Sequence, residues 1–119
     1  IGTGAMSDPY MHCEENLRLT RRCLEIILEN GFGVAIQTKF DRILRDINLL
    51  SEINRSAKCV VQMTLTTSDD GLCRILEPNV CNTKRRIEVL KKCVRMVFQR
   101  LSSLRRFCLL SMILRITSQ

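Results

Sequence analysis

Tryptophan is absent, and aromatic residues make up only 4% of the 119 residues. Any core must therefore be aliphatic. Apolar residues supply 45% of the chain and charged residues 26%, a globular balance and not a disordered one. The length suits one domain and not two. No apolar run approaches the roughly 20 residues of a membrane span. The opening IGTGAMSDPY has no basic n-region and no initiator Met. It does not resemble a secretory signal, and it sets the expectation of a cytoplasmic chain that begins inside a longer protein. Histidine occurs once, at His12, and the seven cysteines form no C-x-x-C pair. Classical zinc spacing is thus missing. An odd number of widely spaced thiols makes no disulfide framework, so they are read as reduced.

Charge is present but unevenly placed. The net charge is +7, yet residues 1–92 hold all 12 acids and net only +2. Residues 93–119 hold five Arg, no Lys and no acid. A tail of that kind could engage nucleic acid or an acidic surface.

Strand and helix signals alternate along residues 1–92. Residues 1–6 read as a strand end running into a Gly-containing loop, closed by Ser7-Asp8-Pro9. Residues 14–30 carry Leu17, Leu24, Ile27 and Leu28 at helical steps, with Asn30-Gly31 as the stop. Residues 33–38 (GVAIQT) read as a buried strand. Asp41 can cap a helix over 42–54, whose apolar stripe is Ile43, Leu44, Ile47, Leu50 and Ile53. Residues 58–65 (KCVVQMTL) read as a third strand. TTSDDG is a loop, 72–76 a short helical turn, and Asn82 or Thr83 can cap a helix running through position 92 or beyond. The expected fold class is α/β with a parallel sheet and right-handed crossovers. Its strands are read as apolar on both faces, as though helices covered both. A sheet this thin is expected to be a piece of a larger α/β sheet or barrel.

Polar residues gather where those strands end: Ser7 and Asp8 after the first, Lys39 after the second, Thr64, Thr66 and Thr67 after the third. The C-terminal edge of a parallel sheet is where ligands bind. Each residue also has an ordinary role open to it, as turn former, helix cap, solvated lysine or β-former.

Three segments, GTGAMSDPYMHCEENLRLTRRCLEII, GFGVAIQTKFDRILRDINLL and CVVQMTLTTSDDGLCRILEPNVCNTKRRIEVLKK, resemble the radical S-adenosylmethionine proteins related to spore photoproduct lyase. The likeness rests on SDPY, the QTK strand end and LTT…EPN…R in that order. It implies a fragment of a partial (β/α) barrel in β-α-β-α-β-α order, while the Leu/Ile/Val/Met-rich C-terminal tail is itself read as a helix. It also implies S-adenosylmethionine and a [4Fe–4S] cluster in the intact parent, and radical chemistry on a substrate, DNA in the best-known photolyase-like relative. The resemblance puts Ser7 and Asp8 near the methionyl ammonium, Lys39 at its carboxylate and Thr64 beside the same moiety. The chain departs from the family in lacking the C-x-x-x-C-x-x-C loop that supplies three thiolates to the cluster. The fragment is therefore expected to hold neither cofactor and to be inactive alone.

Beyond Lys92 the family would continue with a Gly-Ile-Pro turn and another strand. Codons can be chosen for the tail that restore such text in a neighbouring frame. The chain thus divides, on this expectation, into a domain over 1–92 and a frameshifted tail over 93–119. The other classes are a small non-enzymatic module whose Arg-rich tail contacts nucleic acid or an acidic surface, and a cysteine-based metal protein. Exposed strand edges set a further expectation of self-association.

Overall fold

The computed structural model describes the backbone of residues 1–101 and 115–116, and the side chains of residues 1–96. Four strands form one sheet: β1 (Gly2–Thr3), β2 (Val34–Thr38), β3 (Cys59–Leu65) and β4 (Arg115–Ile116). Their spatial order is the order of the chain. Every pairing is parallel, with Thr3 beside Ile36, Gln37 beside Gln62, and Leu65 beside Ile116.

Helices α1 (Glu14–Leu17) and α2 (Leu19–Glu29) join β1 to β2. A 3-10 turn (Asp41–Asp46) and α3 (Ile47–Ser56) lead from β2 to β3, and α4 (Asp70–Leu76) and α5 (Thr83–Leu101) follow β3. When crossovers share one hand and the strands are laid down in order, every helix falls on the same face. Burial along the strands follows that rule. In β2, Val34, Ile36 and Thr38 are buried while Ala35 is exposed and Gln37 half-buried. In β3, Cys59, Val61, Met63 and Leu65 are buried, and Val60, Gln62 and Thr64 lie half-buried between them. The core joins Ile36, Val61 and Met63 to Leu24 and Ile27 of α2, Leu50 and Ile53 of α3, and Val89, Leu90 and Cys93 of α5. A fully buried aliphatic side chain such as Ile53 contributes about 1.5–3 kcal/mol.

Two expectations are corrected here. The strands are not apolar on both faces. Gln37 and Gln62 sit side by side on a face without a helix layer among the described residues. Nor is the sheet a piece of a (β/α) barrel: it is open, with β1 and β4 as its two edges.

Local signals set the element ends. The stretch 14–30 is two helices, because Arg18 takes a left-handed conformation (φ 51°) between them. The Glu14 side chain accepts from the Thr20 N–H at 3.0 Å and so caps the restart. Gly31, at φ 69°, provides the turn that ends α2. Asp69 caps α4 by accepting from the Gly71 and Leu72 N–H groups. Asn82 accepts from Arg85 N at 3.0 Å at the start of α5. Asp41 makes no such cap. The segment it opens is 3-10, and its carboxylate pairs with Arg85 Nε at 2.9 Å.

Helix α5 runs through position 92 without a break, and Cys93 lies in the core. Most of the tail, at 102–114 and 117–119, lies outside the described residues. Its one described piece beyond α5 is β4, a strand where a helix was expected.

Candidate functional site

The parallel strands end together, and their C-terminal edge holds a connected polar cluster. Asp8, in the loop after β1, accepts from Thr38 Oγ1 at 2.7 Å and Lys39 N at 2.7 Å, and also from Tyr10 N at 2.9 Å. Asp8 thereby ties the first strand's exit to the second's. Lys39 carries its side chain to Glu77, with which its ammonium pairs directly. Glu77 also accepts from Thr66 Oγ1 at 2.9 Å and from Arg86 Nη2 at 2.7 Å.

Arg86 is fully buried. Its remaining donors reach the carbonyl oxygens of Thr64 (Nη1, 2.6 Å) and Cys81 (Nε, 2.8 Å). Glu77 is its one carboxylate partner among the described residues, and Glu77 answers two cations at once. Burial alone would raise the Glu77 carboxyl. Hydrogen bonds from Lys39, Arg86 and Thr66 outweigh that and bring it down to about 2. It stays ionised near neutrality and is no proton donor there. Cys81 donates its thiol to Lys39 O at 3.0 Å, and burial pushes that thiol up from its ordinary value. The cluster is thus suited to holding charge and not to nucleophilic attack.

Of the residues singled out in the sequence, Asp8 and Lys39 are brought into direct contact. Thr64 joins the cluster through its carbonyl, while its hydroxyl accepts from Gln37 Nε2 at 3.2 Å. Ser7 is exposed and lines an apolar cavity of about 440 Å³ beside β1. Thr67 accepts from Asp69 N and, through its carbonyl, from Thr83. Glu77 and Arg86 were not foreseen as site residues. Their one sequence signal was the Glu-Pro step and the downstream Arg.

A second ionic cluster lies between the helices. Asp46, fully buried, accepts from Tyr10 Oη at 3.2 Å, Arg21 Nη1 at 2.8 Å and Arg45 Nη2 at 2.9 Å. Arg45 also reaches Glu14 at 2.9 Å. Burial first, and then Asp46, push the Tyr10 hydroxyl well above its ordinary range. These groups fasten α1 and α2 to the 3-10 turn.

Among the described residues, no three His, Cys, Asp or Glu side chains are grouped to hold a metal ion. The six described cysteines are free and dispersed, and burial raises Cys59 to about 12 and Cys93 to about 11. Among the same residues, no helix is long and apolar enough to cross a membrane.

The chain is similar to the uncharacterized protein ORF301 of Acidianus two-tailed virus, at 32% identity over 85 residues, which is 71% of this chain and 27% of that protein. It therefore spans about a quarter of the relative's length. No protein-family description matches the chain, and no solved structure does.

These findings overturn the assignment to the spore-photoproduct-lyase-like radical S-adenosylmethionine proteins. No description of that family matches. No metal-ligand group is assembled among the described residues, and the sheet is open where the family would require a barrel wall. The function drawn from the resemblance, a photolyase-like iron–sulfur enzyme fragment, falls with it.

Proposed function

We propose that the C-terminal edge of the sheet binds a small molecule through an anionic group, a carboxylate or a phosphate. The observation that carries this is Lys39. Its side chain is 38% exposed at the meeting point of the strand ends, next to the fully buried Arg86, and the two share one carboxylate. A cation reachable from water beside a buried guanidinium suits recognition of an oxyanion. Asp8 positions Lys39 through the backbone, and Ser7 and Thr64 offer hydroxyl groups near the strand ends.

The test is an NMR titration with inorganic phosphate and, separately, acetate. Shifts should appear at the amides of Lys39, Thr64 and Thr66, with a dissociation constant of about 1 mM for so small a contact. Lys39→Met should remove them. Unmoved resonances at roughly ten times that concentration would dismiss the proposal.

Self-association along the outer edge of β1 is a second reading. Exposed Ile1, Met11, Leu17 and Leu19 line the cavity there. Sedimentation should then show mass rising with concentration, and a constant monomer mass would end this reading.

A further inference from the structure

We infer that Glu77 is a tethered stand-in for the ligand's anionic group, and that a ligand enters by displacing it. This rests on the anion-binding reading above and specifies how the site is kept closed.

The donors that hold Glu77 belong to three separate elements. Lys39 follows β2, Thr66 follows β3, and Arg86 lies on α5. Bonds that do not involve Glu77 fix two of them. Arg86 is anchored by the carbonyls of Cys81 and Thr64, and the Lys39 backbone by Asp8. The cradle is thus built by the fold, and Glu77 occupies it. Any carboxylate or phosphate oxygen of similar size meets the same donors.

Glu77 is also delivered by the most lightly held helix near the site. Helix α4 has seven residues and buries only Cys73. Its Leu72, Ile75 and Leu76 are 45%, 78% and 56% exposed. Glu77 itself has left helical geometry, at φ −134° and ψ 68°, and Pro78 follows it. Little packing is lost when this segment swings outward.

Electrostatics then dictates the order of events. A fully buried guanidinium left without a counter-charge is strongly unfavourable. Glu77 therefore does not leave an empty site: the incoming anion arrives as Glu77 departs. A short tether presents its group at an effective concentration in roughly the millimolar range, so the internal carboxylate weakens the apparent affinity for any outside anion.

The experiment compares phosphate and formate binding to the wild-type chain and to Glu77→Gln, read at the Lys39 amide and the Arg86 Nε–H by NMR. Binding to Glu77→Gln should be roughly tenfold tighter or more. Equal or weaker binding to the variant overturns the displacement while leaving the anion site standing. Absence of binding to either protein overturns both. A measurement on the wild type alone guards against a variant that does not fold. At saturating phosphate the Glu77 carboxyl carbon should shift together with Lys39, and movement of Lys39 with Glu77 unchanged overturns the inference.

Discussion

Two ionic clusters stabilise this domain, and they differ in what surrounds them. The Asp46 cluster is enclosed by α2, the 3-10 turn and the loop after β1. Its central carboxylate has no exposure, and its cations, Arg21 and Arg45, are 40% and 27% exposed. The Glu77 cluster inverts this arrangement. Its central cation, Arg86, has no exposed side-chain surface, its carboxylate is 14% exposed, and its outer partner, Lys39, faces water. A buried carboxylate ringed by partly exposed arginines is a fastening, because those arginines can turn to solvent. A buried arginine has nowhere to go and must always have an anion, which makes its site a place of exchange.

Breaking each cluster at its buried member should show the difference. Arg86→Met removes the guanidinium, strips the Thr64 and Cys81 carbonyls of their donors and leaves Glu77 with Lys39 and Thr66. The expected loss is about 3–5 kcal/mol in urea unfolding. Asp46→Ala should cost less, about 1–3 kcal/mol, since Arg21 and Arg45 recover hydration. A larger loss for Asp46→Ala than for Arg86→Met would reverse the comparison.

Acid sharpens it next. The Glu77 carboxyl ionises at about 2 in the folded chain against an ordinary 4.5. A depressed folded value means that the unfolded chain binds the proton first. The stability from Glu77 is therefore complete above about pH 4.5 and is lost as pH falls towards 2. Subtracting the melting curve of Glu77→Gln from that of the wild type isolates this component. Its signature is a difference that shrinks across that window, and a constant difference would show that Glu77 is not held as described.

Tyr10→Phe is a smaller probe of the enclosed cluster. It deletes one hydrogen bond to Asp46 and should lower stability by about 1 kcal/mol, measured by calorimetry. Smallest of all is Gln62→Ala, on the sheet face without a helix layer among the described residues, where the change should stay within about 0.5 kcal/mol.

The alternation of strands and helices was legible because several elements carry their own short-range signals: Asn30-Gly31 after α2, the β-branched run of β3, Asn82 before α5. The helix break at Arg18 was not, since no Gly or Pro marks it and the Glu14 contact to Thr20 that stabilises it lies six residues away. The one-sided sheet could have been found. Gln37 and Gln62 fall at alternate positions, but Val60 and Ala35 share their face and blur the period of two. Asp8 and Lys39 were legible as strand-end residues. Glu77 and Arg86 were not, because a short helix and a loop bring them back to the same edge from later in the chain. The barrel expectation failed for a related reason: β-α periodicity sets strand direction and helix side, and does not determine how many strands complete the sheet.

Gly4 has a consequence for how the chain finds its alignment. It follows β1 at φ 102°, and a Cβ there would lie 2.0 Å from the Gln37 carbonyl oxygen. The close approach of the chain leaving β1 to its neighbour β2 is passable at Gly4 because that residue has no side chain. Sliding β1 by one position in either direction would put Thr3 or Ala5 against that oxygen. The first strand is thus keyed like a notched bolt, seating at one setting and jamming at its neighbours.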